Sequence, residues 1–474
     1  MRFQLTAKTG HPDFLDLPWD QPLAAWEHER LVEMPMGIHR HVVRTVAYDE
    51  RLYHLKELPR RYADREWRFL RYLREEQVPV VDVVGVVSRR DTPAGERLDA
   101  VLITEHLEYS VPYRLLFLRQ EHHAIRDPML DALVHLLVRI HLQGFYWGDC
   151  SLSNTLFRRD AGRLAAYLVD TETGELYEEL STGQRDMDVD LAIEKCAGEL
   201  LDLQAAGVLS DEVDPFEIGL ELRERYDSLW AELTTDEVFA DDERYRIYER
   251  LRRINELGYD VDELELIQDE PGVTRMKLKT SVVEPGRYRR ILRQLTGLDV
   301  QDNQARRLLN DIHNFGAWLQ QDEGRPLPEA LIAHRWLERS FEPVVEIVPH
   351  ELRGRREPAE VFHEVLDLWH KWSTQEGTDM GLFNAAHRYV AEILALMPEE
   401  RRVAPAEGDD DTAGALPDPM ADTGTLRLED LAGLADDLAD LDDDLDDDLA
   451  HQQPAITHPA DAAGDVAEDP PTVG

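Results

Sequence analysis

Cysteine is nearly absent: Cys150 and Cys196 are the two in 474 residues. A disulfide framework is therefore not indicated. Lysine is scarce too. Lys and Arg together number 52, yet only six are Lys, at positions 8, 56, 195, 277, 279 and 371. Against them stand 97 acidic residues, for a formal charge of −45. Such a chain is a poor nucleic-acid binder, because phosphate attraction needs clustered Lys and Arg. It is equally poorly matched to anionic lipid surfaces. No run of about 18 apolar residues is present to span a bilayer. The nearest stretch, Met129 to Trp147, is broken by Asp131, His135, Arg139 and His141. The opening residues, Met1 to Lys8, lack the apolar core of a signal peptide. A cytoplasmic protein is expected, with no membrane span and no nucleic-acid partner. Walker phosphate loops, dinucleotide fingerprints and internal repeats are also missing.

What is present is length and apolar content for two or three domains, with 43% hydrophobic residues. Alternation over Val42–Tyr48 and Leu52–Leu58 around Asp49-Glu50 predicts a β-hairpin. Tyr62–Glu76 reads as a helix with Tyr62, Phe69, Leu70 and Leu73 on one face. Pro79–Val87 and Leu98–Leu107 read as buried strands, and Pro128–Gly144 as an apolar helix capped by Asp127. Beyond Asp186 the pattern turns mainly helical: Leu191–Gln204, Pro215–Leu233, Arg287–Thr296, Asn303–Gln321, Pro328–Phe341, Pro358–Trp372 and Leu382–Met397. A hairpin near 264–283 interrupts it, turning at Asp269-Glu270-Pro271-Gly272.

From Ala404 onward there are 21 Asp and Glu against one Arg, on an Ala/Pro/Gly background. That composition predicts disorder. Leu431, Leu434, Leu438, Leu441, Leu445 and Leu449 recur at steps of three and four. The tail is read either as a solvating segment or as a helix that folds on a protein partner, since Asp is a weak helix former.

The chemistry concentrates in Gly148-Asp149-Cys150-Ser151-Leu152-Ser153-Asn154 and Leu168-Val169-Asp170-Thr171-Glu172. An Asp, an Asn five residues on, and a second Asp after a strand-turn-strand supply a base for an acceptor hydroxyl and oxygen ligands for a nucleotide-bound Mg²⁺. The turn falls at Asp160-Ala161-Gly162.

The segment from His141 to Glu172 resembles the catalytic segment of the lipopolysaccharide and small-molecule kinases, relatives of the protein kinases. The whole chain resembles an uncharacterised bacterial family that joins such a half to a C-terminal domain of unknown function. The resemblance implies an α+β fold of two lobes, a small β-rich N-lobe and a helical C-lobe. Expected domains are 20–205 for the kinase-like part, 206–400 for a mainly helical part, and 401–474 for the acidic tail. It implies ATP and Mg²⁺ as cofactors, Asp149 as catalytic base, and Asn154 and Asp170 as metal ligands. Glu172 is a further ligand, by likeness to the Asp-x-Glu of choline-kinase-like enzymes, or a surface carboxylate. Lys56 is the phosphate-gripping lysine, a role that suits a compact ammonium. Glu66 is its partner on the inward helix face, with Glu75 and Glu76 as the fallback. Backbone groups from Glu105 to Leu107 form the adenine-facing hinge. Asp188 or Asp190 braces the catalytic loop or caps the following helix.

Departures from the family are equally plain. There is no Gly-rich loop; Gly37 alone is available to cover the phosphates. Gly148 stands where many protein kinases carry an Arg, and the metal motif reads Asp170-Thr171-Glu172. His363 and His370 lack zinc-hydrolase spacing and read as partly exposed helix histidines. His122-His123 reads as a loop pair, Cys150 as a packed small residue, and Lys277 with Lys279 as a solvated strand face. The expected activity is ATP- and Mg²⁺-dependent phosphorylation of a hydroxyl on a small-molecule or sugar-like acceptor. The alternative is a pseudokinase that binds nucleotide and regulates or scaffolds without turnover.

Overall fold

The structure, a computed structural model, describes residues 3–34, 41–119, 122–235, 237–240, 252–254, 257, 259–270 and 273–402. For 119, 122–124, 237–240, 260–270, 273–285 and 376 it describes the backbone alone. Gly37 and the acidic tail with its leucine repeat lie outside the described residues. The chain divides into two compact units: one holds Met1–Arg287 and, among the described residues, 400–402; the other is Tyr288–Glu399.

The first unit opens with an antiparallel six-stranded sheet. Its strands are β1 (Gln4–Ala7), β2 (Leu31–Val32), β3 (Val42–Tyr48), β4 (Arg51–Leu58), β5 (Val83–Ser88) and β6 (Ala100–Glu105), ordered β1-β5-β6-β4-β3-β2. The expected hairpin is β3–β4, closed at Tyr48 opposite Arg51. Alternation splits the sheet's side chains between two cores. Tyr53, Leu55, Val101 and Ile103 pack outward against Phe14, Leu17, Trp19 and Trp26. Leu58, Val86 and Leu102 pack inward with Ala63, Leu70 and Leu73 of α1 (Arg60–Glu75). Every residue of β5 is buried, which explains its continuous Val-rich run.

The outer layer begins before the expected start at residue 20. β1 pairs with the edge of the sheet, and Phe14 and Trp19 are fully buried. Arg90, also fully buried, ties this layer down by donating to the Trp19 carbonyl at 3.0 Å and to Glu57 at 2.7 Å.

Beyond β7 (Ser110–Pro112) and α2 (Tyr113–Arg119), α3 (His122–Leu142) runs through the middle of the unit. Leu133, Leu137, Val138 and Ile140 are fully buried, as an all-round apolar helix requires. It starts before the expected Pro128, which sits inside the helix and forfeits one backbone donor there. Then come β8 (Phe145–Tyr146), the hairpin β9 (Thr155–Asp160) and β10 (Arg163–Leu168), β11 (Glu175–Leu176), α4 (Thr182–Ala205) and α5 (Pro215–Thr234). Helix α5 buries Leu222, Tyr226 and Leu233 in the same core as α3 and α1. The compact unit consequently extends past the expected boundary at 205. It also includes a three-stranded sheet of β12 (Glu237–Ala240), β13 (Tyr259–Glu270) and β14 (Val273–Pro285), a longer hairpin than expected. Lys277 and Lys279 fall opposite Glu265 and Glu263 in its register.

The second unit is helical: α6 (Arg287–Thr296), α7 (Asp302–Glu323), α8 (Glu329–Trp336), α9 (Glu342–Glu346), α10 (Pro358–Glu376) and α11 (Leu382–Glu392). Its core gathers Phe315, Trp336, Phe362 and Tyr389. His363 belongs to this interior, 2% exposed, whereas His370 is exposed. The expectation that both are partly exposed thus fails for His363, which burial pushes down to a pKa of about 3. The two residues are seven apart, yet the face of α10 carrying His363 is covered. No helix among the described residues is long and apolar enough to cross a membrane.

Gly144 ends α3 at φ +69°, and a Cβ there would lie 2.2 Å from the Tyr177 carbonyl oxygen. That oxygen belongs to backbone already engaged, since the Tyr177 N–H donates to the Gly144 carbonyl at 2.9 Å. Gly144→Ala is expected to lower unfolding free energy by roughly 2–4 kcal/mol, combining left-handed backbone cost with overpacking. A urea titration followed by tryptophan fluorescence reads this out; an unchanged midpoint contradicts the placement.

Candidate active site

The β9–β10 hairpin brings Asn154 and Asp170 together. Its two-residue turn, Ala161-Gly162, has φ of +52° and +84°, the geometry of a tight hairpin turn. The register runs from Asp160 opposite Arg163 to Thr155 opposite Leu168. At the open end the Val169 N–H donates to the Asn154 carbonyl at 3.1 Å. Sixteen residues of sequence separation therefore collapse to neighbouring positions, with Asn154 and Asp170 at the mouth of one ribbon. Backbone bonds from Val81 to the Leu168 carbonyl (3.1 Å) and from Leu168 to the Pro79 carbonyl (3.0 Å) attach the ribbon to the segment that follows α1.

The loop between β8 and β9 carries Asp149. Gly148 has φ +72°, and a Cβ would sit 3.0 Å from the Tyr146 ring. The backbone conformation accounts for glycine where an Arg was the family expectation. The Asn154 amide donates to the Asp149 carbonyl and to Asp149 Oδ2, both at 3.1 Å. Its side-chain oxygen thus points the other way, available as a ligand. The fully buried Trp147 donates its indole N–H to the Asp170 carbonyl at 2.8 Å.

Helix α4 holds the loop from below. Fully buried Asp188 accepts from the backbone N–H of Trp147 at 2.7 Å and of Gly148 at 2.8 Å, and lies 3.1 Å from His141 Nε2. Burial holds the His141 pKa below its ordinary value, against the pull of Asp188. Glu199 accepts from Leu152 N at 2.6 Å and Ser153 N at 3.1 Å. Of the two candidates, Asp188 is therefore the brace, and Asp190 instead pairs with Arg223 at 2.6 Å. Neither is an N-cap. The helix starts at Thr182 under a Ser181/Gln184 capping box, a Ser-x-x-Gln signal present in the sequence but unread there.

Lys56, on β4, points inward between Val43 and Leu102 of the adjacent strands. Its ammonium lies 3.2 Å from both oxygens of Glu66, 2.5 Å from Asp170 Oδ2 and 3.9 Å from Glu172. Glu66, 1% exposed, is the helix partner; Glu75, the fallback, pairs with Arg71 on the surface. Glu172 is no surface carboxylate: its side chain is 11% exposed and 2.8 Å from His41 Nε2, a neighbour that sequence reasoning missed. Asp170 Oδ1 accepts the Glu172 N–H at 2.8 Å.

Charge in this cluster is lopsided. Burial alone would lower Lys56, but Glu66 and Asp170 outweigh it and raise its pKa. Burial likewise pushes Asp170 up, and the Lys56 ammonium overrides this and holds the carboxyl below its ordinary range. Burial, then the nearby Asp170, push Glu66 up to about 8 against the pull of Lys56. Asn154, Asp170 and Glu172 form a hard-oxygen donor set with surplus negative charge, which fits Mg²⁺.

At the expected hinge, Glu105 turns its carboxylate toward Arg51 at 3.6 Å, and its backbone N–H donates to the Asp82 carbonyl at 2.8 Å. The Leu107 carbonyl accepts from Ser110 Oγ at 2.7 Å. His54, two residues before Lys56, bonds His106 at 3.0 Å and Thr45 at 2.9 Å, a further feature without a sequence signal. Arg401 lies against this hinge, its carbonyl accepting from Tyr109 N at 3.3 Å. Cys150 is buried and its thiol is pushed well up by burial, as expected of a packed rather than reactive residue.

Residues 39–193 match the family model described as Lipopolysaccharide kinase (Kdo/WaaP) family. The segment bearing the site is lipopolysaccharide-kinase-like. Residues 228–394 match a Domain of unknown function (DUF4032), giving the join that the sequence resembled. The kinase-family match supports phosphotransfer as the class of chemistry. No curated protein matches the chain. Among solved structures it is similar to WaaP in complex with acyl carrier protein, at 18% identity and a TM-score of 0.29, over 47% of this chain and 89% of that one. It is also similar to an aminoglycoside-3'-phosphotransferase of type VIII, at 16% identity and a TM-score of 0.29, over 42% and 86%.

Two outcomes follow for stability. Folded Glu66 keeps its proton up to about pH 8, whereas the unfolded chain releases it near 4.5. The folded state binds more protons in that window, so stability falls as pH rises, by at most about 1.4 kcal/mol per unit for one group. Glu66→Gln is expected to flatten the slope of urea stability between about pH 5 and pH 8; parallel profiles contradict the assignment. Separately, Asp188→Ala strands two buried N–H groups and should cost about 3 kcal/mol. Amide hydrogen exchange at Trp147 and Gly148 should accelerate together in that variant, and protection unchanged at both excludes the brace.

Proposed function

We propose that the first unit is an ATP- and Mg²⁺-dependent phosphotransferase acting on a hydroxyl of a small-molecule or sugar-like acceptor. The observation that carries this reading is the convergence of Lys56, Glu66 and Asp170 within 3.2 Å of one ammonium. They come from a strand, a helix and a hairpin end that share no local sequence. Asp149, held by Asn154 from the same ribbon, completes the set.

In this reading Lys56 binds the triphosphate, and Glu66 fixes the ammonium's position. Asn154, Asp170 and Glu172 hold Mg²⁺, which supplies charge neutralisation on the phosphates when bound. Backbone groups of Glu105 to Leu107 face the base. Asp149 orients the acceptor hydroxyl and takes its proton as the acceptor oxygen bonds to the γ-phosphorus. The bond from that phosphorus to the β–γ bridging oxygen breaks, and ADP leaves. A small acceptor is favoured because the chain from Glu172 to the α4 cap at Ser181 is short and holds no peptide-docking segment.

Labelled ATP incubated with the full chain and a metabolite extract is expected to yield a labelled, phosphorylated small molecule. Asp149→Asn should reduce that transfer by about 10³-fold or more while keeping the thermal shift given by Mg²⁺-ATP. Stabilisation by nucleotide without transfer to any extract component supports the pseudokinase alternative instead. Transfer at the normal rate in Asp149→Asn removes Asp149 as the base.

A further inference from the structure

Lys195 reaches the same carboxylate from another direction. It lies on α4 seven residues after Asp188 and four before Glu199, so the three share one helix face. Asp188 and Glu199 grip the backbone of the Asp149 loop, and Lys195 forms an ion pair with Asp149 Oδ1. Asn154 occupies the other oxygen, Oδ2.

Stability does not account for this pair. The Lys195 side chain is 42% exposed and that of Asp149 31%, and pairs so open contribute about 0–1 kcal/mol. Yet the chain, which otherwise uses Arg, places one of its six Lys here. An ammonium has three donors that rotate freely, so one can stay on Asp149 while another turns to a second anion. A planar guanidinium committed to a carboxylate has less such freedom. The site already has a cation, Lys56, but Glu66 and Asp170 enclose it. Lys195 stands on the side of the proposed base, where the transferring group and the acceptor must meet.

Building on the phosphotransferase reading, we propose that Lys195 contacts the terminal phosphoryl group of the bound nucleoside triphosphate, bridging it to Asp149. The contact selects triphosphate over diphosphate, and it stabilises the negative charge on the phosphoryl oxygens during transfer. Before nucleotide arrives, the same ammonium holds the Asp149 carboxylate in place.

The test is calorimetric titration of the full chain with Mg²⁺-ADP and with a non-hydrolysable Mg²⁺-triphosphate analogue. Lys195→Ala should weaken triphosphate binding about tenfold and leave diphosphate binding within about twofold; Lys195→Arg, whose planar guanidinium bridges less freely, should recover only part of the loss. Equal changes for both nucleotides, or none, overturn the proposal while leaving the phosphotransferase reading intact. Failure of the unaltered protein to bind either nucleotide overturns both. A direct contact is separated from mere screening of Asp149 by repeating Lys195→Ala in an Asp149→Asn background. The selective loss should persist there, and its disappearance refutes the contact.

Discussion

One ammonium joins three elements of the first unit. Lys56 sits between two carboxyl groups: it holds Asp170 below its ordinary range and opposes, without cancelling, the burial that raises Glu66. Removing it leaves Glu66 and Asp170 facing each other in a poorly solvated space, which is far costlier than the pair's net worth. The arrangement is thus weak as a source of stability and strong as a constraint. It requires β4, α1 and the end of the β9–β10 ribbon to stay in register. Its charge does not balance either: the carboxylates of Asp170 and Glu172 face the single Lys56 ammonium. That surplus fits a hard cation, so the proposed Mg²⁺ rests on the donor set as well as on the family likeness.

The second anchor is α4. Three side chains on one face of a single helix, Asp188, Lys195 and Glu199, touch the loop that carries Asp149. A loop with Gly148 in a left-handed conformation would otherwise sample many states. Because its N–H groups end on buried or half-buried carboxylates, its shape is set by a rigid element. The absence of an Arg before Asp149 is then a backbone requirement at Gly148.

Legibility in the sequence followed locality. Asp149, Asn154 and Asp170 could be read because a hairpin of fixed period joins them, and the turn residues Ala161-Gly162 announce it. Lys56 stood out through scarcity, and Glu66 through its place on the apolar face of α1. What escaped depended on tertiary approach: His41 against Glu172, Trp147 against the Asp170 carbonyl, and the layer of Phe14 and Trp19 outside the sheet. The compact first unit reaches beyond the expected limits 20 and 205 for the same reason, since both β1 and α5 are recruited by contacts remote in sequence. Asp188 was half-legible; the capping box at Ser181 would have shown that it lies within a helix, where its spacing to Lys195 becomes meaningful.

The two anchors belong to different layers, the sheet with α1 and the helices α3 to α5, so the site exists only if the layers hold a fixed relation. One continuous core runs through both, from Leu58 and Leu70 to Leu200 and Leu222. Apolar packing alone resists separation better than it resists sliding, because it is non-directional. Direction comes from the paired backbone bonds between 79–81 and Leu168. They clamp the ribbon two residues before Asp170, on the segment that leaves α1. Asp170 is thereby positioned by main-chain geometry at the point where Lys56 arrives, and the ion pair reports that geometry rather than creating it. The placement of Asp170 accordingly depends on a short, apolar Pro79-Val80-Val81 stretch that carries no reactive group of its own.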